Sequence, residues 1–251
     1  MPRLAIITTV YNHAHFLGEC FASIAAQTSD DFVHVVVDDA SPDRAWEPIS
    51  QYAAQSDRRI PVYLKENVGL ARAFHAGVQQ LPPDVAWILK VDADDKIDPR
   101  YVELILRAAD EDLARNVIFA PAKHFGARDD VYVYPEPFDA RRMREVFYIP
   151  GPAAYQRSLW DAVGGYDVTM RSAEDWDFYI RAQDAVGLIP HQIKEPGVFW
   201  WYRMHAGHRA SDEGMKRLPW LHLYWAGHTR ESSLGRSRTW GQWCADRGFP
   251  T

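Results

Sequence analysis

The feature that most constrains the fold is a run of almost continuous valine in residues 32–38, which read FVHVVVD. A strand with one solvated face alternates apolar and polar residues, but most positions of this run are apolar. Near-continuous β-branched residues over this length are typical of a strand buried on both faces in a parallel sheet. The run therefore predicts an α/β fold in which helices cover the sheet.

The segments around this run alternate between strand and helix patterns, as parallel sheets with helical crossovers require. Apolar runs predict strands at residues 4–9, 32–38, 62–64, 85–91, 117–120 and 198–202. Helical patterns, with apolar residues three and four apart in the clearest cases, predict helices at residues 14–27, 69–80, 101–109, 157–163 and 174–186. Residues 128–152 show no period, and we expect loop and edge strand there. The pattern predicts a single Rossmann-like mixed sheet flanked by helices.

The composition is that of an ordinary globular protein. The 251 residues are 47% hydrophobic and 25% charged, which suits one large domain or one domain with an extension. No window approaches 18 uninterrupted apolar residues and no cleavage site is evident, so we expect neither a transmembrane helix nor a signal peptide. The two cysteines stand in no paired motif, which fits a reducing cytoplasm and argues against a zinc or disulfide framework.

The net charge of -6 is spread unevenly, because the last fifth of the chain is basic and holds six of the ten Trp. A basic segment rich in Trp can contact a sugar, an anionic lipid surface or a partner subunit. It can equally pack as a C-terminal helix onto the domain. We expect a helical, aromatic extension at residues 206–251 and a cytoplasmic protein with peripheral membrane contact through it. The overall acidity disfavours nucleic acid as a partner.

Polar clusters follow three of the predicted strands. They are TTVYN at residues 8–12, DDASPD at residues 38–43 and DADD at residues 92–95. In open α/β sheets, ligands bind beyond the carboxyl ends of the strands. Each cluster alone is ordinary turn and helix-capping chemistry. Three clusters on the same edge of one sheet indicate a binding site.

The acidic cluster also has a specific chemical requirement. Three carboxylates at one strand end repel one another unless a cation or hydrogen-bond donors offset their charge. Hard oxygen ligands suit Mg²⁺ or Mn²⁺ carrying a diphosphate. The alternative is an acidic turn before a helix, with Asp98 as its N-cap and Pro99 at its first position.

Taken in order, the motifs of this chain resemble the inverting glycosyltransferases of family 2, which have the GT-A fold. The resemblance extends from Ile6 to His205 and rests on TVYN at 9–12, VDDASPD at 37–43, NVG at 67–69, DADD at 92–95, GGYD at 164–167, ED at 174–175 and WYRMH at 201–205. Several motifs in order are a stronger signal than any one. It implies a nucleotide-sugar-binding half at residues 1–125 and an acceptor-binding half at residues 126–205.

The resemblance implies a role for each matched residue. Asp39 would accept a hydrogen bond from the nucleotide base and Tyr11 would pack on that base; the donor-binding set is Thr9, Tyr11, Asp39, Asn67, Arg72 and Asp92. The divalent metal, Mn²⁺ or Mg²⁺, would be held by Asp94, with Asp95 beside it and His205 completing its shell. Asp175 would be the catalytic base, and the acceptor would border Gly164, Gly165 and Glu174.

The reaction implied by the family explains why these residue types are needed. Departure of a nucleoside diphosphate needs neutralisation of its charge, and the attacking hydroxyl must lose a proton to a carboxylate that faces it. Asp94 and Asp175 are far apart in sequence and fit these two separate tasks. The plainer alternatives are that Asp175 stabilises a helix N-terminus and that Gly164 and Gly165 end a helix.

The expected function is that of a metal-dependent inverting glycosyltransferase that uses a UDP-linked sugar. The acceptor would be a carbohydrate or a lipid-linked molecule, as in polysaccharide or glycoconjugate synthesis. The alternatives are a catalytically silent nucleotide-sugar-binding module and a glycosyltransferase acting on a nucleic-acid or protein acceptor. A sugar nucleotidylyltransferase is disfavoured, because residues 9–13 lack the Gly-rich loop with Arg and Lys of that class.

Overall fold

The computed structural model of the chain describes residues 2–145, 148–170 and 172–205, together with Gln242 and Ala245. Of the predicted extension at residues 206–251, only Gln242 and Ala245 are among the described residues. Within the described part of the chain, no helix combines the length and apolar character needed to cross a membrane.

The main sheet of the described residues has seven strands and is mixed. Its order is β10 (Pro190–Gln192), β6 (Val117–Phe119), β9 (Ala154–Gln156), β4 (Trp87–Lys90), β1 (Leu4–Val10), β2 (Phe32–Asp38) and β3 (Arg59–Tyr63). β1 pairs in parallel with both β2 and β4, whereas β9 runs antiparallel to β4 and β6. The strand order therefore reverses beside β1, which is where α/β sheets bind ligands.

A second, four-stranded sheet brings the end of the described chain close to the acidic cluster. Its order is β5 (Lys96–Ile97), β11 (Trp200–Met204), β7 (Ala122–Gly126) and β8 (Val131–Tyr132). β5 follows residues 92–95 directly and pairs with β11, so residues 200–205 lie alongside that turn. The sequence predicted only β11 of this sheet, as the strand at residues 198–202, and β5 and β8 have two residues each, which is too few to show a period.

Helices cover the main sheet as the alternating pattern predicted. They are α1 (Leu17–Ala25), α2 (Trp46–Ala53), α3 (Leu70–Val78), α4 (Tyr101–Glu111), α5 (Arg157–Val163) and α6 (Glu174–Ala185), with 3-10 turns at Ala14–Phe16 and Arg142–Arg144. Helix α2 was not predicted, since it buries only Ile49 and Tyr52 and so lacks a strong apolar face. The mixed α/β architecture flanked by helices confirms the predicted fold class.

The valine run forms the centre of the core. β1 and β2 are buried almost throughout, and the one polar side chain in the middle of β2, His34, bonds to Tyr52 Oη and Thr8 Oγ1 at 3.0 Å each. Helix α3 lies close above these strands. A Cβ built at Gly77 would stand only 2.9 Å from Ile7 Cγ2 and 3.1 Å from Val37 Cγ2. Glycine at 77 thus sets how closely α3, and the loop before it, approach the sheet edge.

Candidate active site

A cleft of about 760 Å³ lies beyond the carboxyl ends of β1, β2 and β4. It brings together residues from all three polar clusters that the sequence singled out. Its walls include Thr9, Tyr11, Asn12, His13, His15, Phe16, Asp39, Asn67, Gly69, Asp92, Asp94, Tyr202 and His205. The predicted convergence of the clusters on one edge of the sheet is therefore present in the fold.

Asp39 anchors one wall of this cleft. Its carboxylate is buried and accepts hydrogen bonds from the backbone N–H of Val68 at 2.8 Å, the backbone N–H of Gly69 at 2.9 Å and Asn67 Nδ2 at 3.0 Å. Gly69 has a φ of +85°, which the loop needs to turn into α3. Burial raises the pKa of Asp39, and the hydrogen bonds from Val68 and Gly69 oppose that rise. The carboxylate thus holds the loop at 67–69 against the cleft.

Tyr11 stands on the segment that follows β1. The backbone N–H of Asn12, which has a φ of +59°, donates to Ser41 Oγ at 3.2 Å, and Ser41 Oγ donates to the Val10 carbonyl at 3.3 Å. Tyr11 is 50% exposed although it lines the cleft. Hydrogen bonds therefore join the two polar clusters after β1 and β2, and the Tyr11 ring stays accessible to a ligand.

Asp94 and His205 meet at the opposite wall. Asp94 Oδ2 is 2.7 Å from His205 Nε2, and Arg203 Nε donates to the Asp94 carbonyl at 3.0 Å. Among the residues that the structure describes, no group of three or more His, Cys, Asp or Glu side chains is placed to hold a metal ion. One carboxylate and one imidazole facing a cleft instead fit a divalent ion whose remaining ligands come from a bound diphosphate.

Asp95 lies behind this wall and is not among the described residues that line the cleft. It is 1% exposed, and its Oδ1 accepts the backbone N–H of Arg203 at 2.9 Å. Burial, followed by the charges of Asp92 and Asp94, raises its pKa well above the ordinary range. The Oδ1 contact ties β11 to the acidic turn, whereas Oδ2 is buried and has no hydrogen-bond partner among the described residues. The role of Asp95 beside the metal stays a prediction.

Deeper in the site, Lys90 lies between two carboxylates. Its Nζ is 3.3 Å from Asp92 Oδ1 and 3.5 Å from Glu174 Oε1, and its side chain is 6% exposed. Burial lowers the pKa of Lys90, but the charges of Asp92, Glu174 and Asp175 outweigh burial and raise it well above its ordinary range. Burial also raises the pKa of Glu174 to about 7, against the opposing charge of Lys90.

Asp175 lies in the first turn of α6, as predicted. It is half-buried, and its Oδ1 accepts the N–H of Trp176 at 2.8 Å. Its Oδ2 lies so close to the backbone of Gly151 that a Cβ built there would be 2.6 Å from it and 3.7 Å from Lys90 Nζ. Glycine at 151 therefore leaves the space that Asp175 and Lys90 share.

A second cleft of about 630 Å³ adjoins the first, with Asn67, Gly69 and Leu70 on the walls of both. Arg72 and Glu174 line this second cleft, together with Val168, Thr169 and Met170. Arg72 is exposed and is not among the described residues that line the first cleft. The structure therefore places Arg72 on the wall of the second cleft, and its role in binding the donor stays a prediction.

Gly164 and Gly165 end helix α5. Their φ angles are +71° and +76°, and the N–H of Gly165 donates to the Trp160 carbonyl at 2.9 Å. A Cβ at Gly165 would stand 2.4 Å from the Trp160 ring and 2.7 Å from His75 Cε1. Neither glycine is among the described residues that line the two clefts. Their observed contacts are those of helix termination and close packing, and their place beside the acceptor stays a prediction.

Sequence reasoning missed several residues of the site. The missed set is His13, His15, Phe16, Lys90, Gly151 and Tyr202. A lysine in an otherwise apolar predicted strand was a visible signal for Lys90, because an unpaired buried ammonium is costly. Gly151 had no such signal, since its role depends on a residue 24 positions further along the chain.

Comparison with known proteins agrees with this geometry. The model of the family described as Glycosyl transferase family 2 matches residues 5–175. An uncharacterized glycosyltransferase of Haemophilus influenzae is 27% identical over 203 residues, which are 77% of this chain and 66% of that protein. The uncharacterized glycosyltransferase YwdF of Bacillus subtilis is 26% identical over 230 residues, 87% of this chain and 81% of that protein.

Solved structures show the same fold. S. aureus TarS 1-349 in complex with UDP-GlcNAc has a TM-score of 0.74 and 19% identity, covering 90% of this chain and 66% of that one. The mannosyltransferase PcManGT from Pyrobaculum calidifontis, in complex with GDP-Man and Mn²⁺, has a TM-score of 0.63 and 18% identity, covering 95% and 66%. The chain spans about two thirds of both, and the likeness confirms the predicted GT-A fold. Since the family model matches well over half of its residues, the chain belongs to glycosyltransferase family 2.

Proposed function

We propose that this protein transfers a sugar from a uridine diphosphate sugar to an acceptor hydroxyl, with inversion at the anomeric carbon and with help from a divalent metal. The observation that carries the proposal is the adjoining pair of clefts. The first is lined by Tyr11, Asp39 and Asp94, and the second by Glu174 at the start of α6. A donor in one cleft and an acceptor in the other would meet near that helix.

The leaving diphosphate needs its charge offset in the first cleft. Asp94 and His205, 2.7 Å apart on its wall, are the residues that would hold Mn²⁺ or Mg²⁺. When bound, the ion supplies positive charge to the departing diphosphate. The reported complex of PcManGT with GDP-Man and Mn²⁺ supports this choice.

Asp175 is the proposed general base. In one step the acceptor oxygen bonds to the anomeric carbon, the bond from that carbon to the diphosphate oxygen breaks, and its electron pair leaves with the diphosphate. The hydroxyl proton passes to Asp175. A single displacement from the face opposite the leaving group inverts the anomeric centre. Glu174 lies beside this base on the wall of the second cleft, where it would contact the acceptor.

The preference for uracil rests on Asp39 and Tyr11. Three donors from the loop at 67–69 already occupy most of the Asp39 carboxylate, which leaves room for one further N–H such as that of a pyrimidine ring. Tyr11 offers an exposed ring on which a base can stack. The complex of TarS with UDP-GlcNAc, at the higher of the two TM-scores, favours uridine over guanosine.

The test is a screen of nucleotide sugars with the purified chain, with Mn²⁺ or with chelator. Thermal shifts with UDP and GDP report binding, and release of nucleoside diphosphate, with water or a panel of oligosaccharides as acceptor, reports turnover. We expect UDP with Mn²⁺ to give the larger stabilisation and UDP-sugars to be turned over. Tighter binding of GDP would overturn the base assignment. Binding without release from any nucleotide sugar would identify a silent binding module instead.

A further inference from the structure

The buried ammonium of Lys90 links two parts of the site that come from distant segments of the chain. Asp92 belongs to the turn after β4 and lines the first cleft, whereas Glu174 begins α6 and lines the second. Lys90 Nζ reaches both, at 3.3 Å and 3.5 Å. Neither Lys90 nor Asp175 is among the described residues that line the two clefts, and the Lys90 side chain is 6% exposed, so Lys90 faces the clefts through its two partners.

Nothing in a buried strand requires a lysine. Lys90 ends β4, where Trp87, Ile88 and Leu89 are buried apolar residues, and it is itself only 5% exposed. An apolar residue at this position would avoid the cost of removing an ammonium from water. A buried ion pair is weak evidence for stability, because well-packed apolar residues often replace one without loss. The stability of the fold therefore does not explain why this buried position holds a lysine.

The surroundings of Asp175 supply that reason. The space beside the Gly151 backbone is bounded by Asp175 Oδ2 on one side and Lys90 Nζ on the other, at 2.6 Å and 3.7 Å from a Cβ built at that position. Asp175 follows Glu174 directly, so the contact between Lys90 and Glu174 fixes where the first turn of α6 stands relative to Asp92. Displacing a reacting group by about 1 Å can cost ~10²-fold in rate.

We propose that Lys90 is a positioning residue that sets the spacing between the donor-side carboxylate Asp92 and the start of α6, where Asp175 acts. The proposal deepens the proposed function and rests on it for its catalytic part. It assigns Lys90 no contact with substrate. Its effect on the reaction is carried by Asp92 on one side and by Glu174 and Asp175 on the other.

The test compares two substitutions at this position. Lys90→Met keeps the unbranched side chain up to the ε position and removes the charged Nζ, whereas Lys90→Arg keeps the charge on a longer, planar group that cannot reproduce the spacing. We expect turnover of the preferred nucleotide sugar to fall ~10²-fold in K90M and about tenfold in K90R. We expect the affinity for UDP with Mn²⁺ to change by less than about fivefold in both. Lys194→Met is the matched control, since Lys194 makes an exposed ion pair with Glu136.

A readout that does not depend on activity completes the test. The N–H of Asp177 is bonded to the Ala173 carbonyl at 3.0 Å in the first turn of α6. Hydrogen exchange of this turn in the ligand-free protein should be faster in K90M and K90R than in the wild type, and unchanged in K194M. Should K90M not fold, K90R carries both measurements.

Wild-type exchange in α6, or wild-type turnover in a folded Lys90 variant, would overturn the inference. A loss that appears wholly as weaker UDP binding would overturn it too. If the wild type releases no nucleoside diphosphate from any nucleotide sugar, the proposed function fails. Faster exchange of α6 in the variants would then still establish the link through Lys90, and unchanged exchange would refute it.

Discussion

The two ends of the site stabilise their carboxylates in different ways. At the nucleotide end, Asp39 accepts three hydrogen bonds from the loop at 67–69, two of them from backbone N–H groups. At the catalytic end, Asp92 and Glu174 share the single ammonium of Lys90 at 3.3 Å and 3.5 Å. Backbone donors survive every substitution in their loop except one by proline, whereas one lysine can be lost in a single change.

This difference predicts two kinds of sensitivity. Substitutions at the nucleotide end should weaken binding and loop order, because hydrogen bonds there hold a wall of the cleft. Substitutions at the catalytic end should reduce turnover and alter the response to pH, because charges there are balanced against one another. Four changes test whether the two ends behave this way.

The largest effect is expected from Asp175→Asn. The substitution preserves the size of the side chain and an oxygen that can accept the N–H of Trp176, but it removes the carboxylate proposed to take the proton of the acceptor. Turnover should fall by ~10²–10⁴-fold while the affinity for UDP changes little. Steady-state kinetics with calorimetry on the same variant checks both. Asp161→Asn, an exposed aspartate in α5, is the control. Near-normal turnover would show that Asp175 only stabilises the first turn of α6.

Asp94→Ala should have the next largest effect. Asp94 is the carboxylate paired with His205 on the wall of the first cleft. Its loss should reduce turnover by about 10²-fold and weaken Mn²⁺-dependent binding of UDP, because the charge of the leaving diphosphate is no longer offset. Calorimetry with UDP, with and without Mn²⁺, measures this. If binding in the variant depends on Mn²⁺ as in the wild type, the metal assignment to Asp94 is wrong.

Glu174→Gln should change how stability depends on pH. The pKa of Glu174 is raised from 4.5 to about 7, so its contribution to the free energy of unfolding is full below pH 4.5 and is lost as pH rises through about 7. The Gln variant does not titrate, and its stability should fall less between pH 5 and pH 7.5, by up to ~3 kcal/mol. Urea unfolding across this range checks it. Glu66→Gln, an exposed glutamate, should keep the wild-type profile.

Asp39→Asn should have the smallest effect. An amide in place of the carboxylate presents N–H groups toward donors from the loop at 67–69, so hydrogen bonds to Val68 or Gly69 are lost. The free energy of unfolding should fall by about 1–3 kcal/mol, and UDP should bind more weakly. Denaturant unfolding and thermal shift with UDP measure the two effects. Asp84→Asn, an exposed change, gives the baseline. An unchanged free energy of unfolding together with unchanged UDP binding would contradict an anchoring role for Asp39.

Local patterns sufficed to predict much of the fold and the nucleotide end. Continuous valine identified β2, and polar clusters at strand ends identified the edge where Asp39, Asp92 and Asp94 meet. The second sheet could not be predicted, because its short strands gain their stability from pairing across long sequence separations. The same holds for Asp95, whose burial follows from β11, more than 100 residues away.

The catalytic end was predicted less completely for a related reason. Glu174 and Asp175 could be placed at the start of a helix, but their partners Lys90 and Gly151 come from other strands and loops. Arg72 shows what a motif match leaves open: it lies on the expected helix, and the match did not say that it would line the second cleft. A match along the chain fixes which element carries a residue, and the direction of the side chain depends on packing.

The crowding around Gly151 has a consequence for inherited variation in this protein. Any codon change that replaces this glycine adds at least a Cβ, and that atom would lie 2.6 Å from Asp175 Oδ2. Such an allele would encode a chain that retains every ionisable group of the site and yet has Asp175 displaced. A substitution at codon 151 would therefore move the Asp175 carboxylate without removing any acid, base or proposed metal ligand from the sequence.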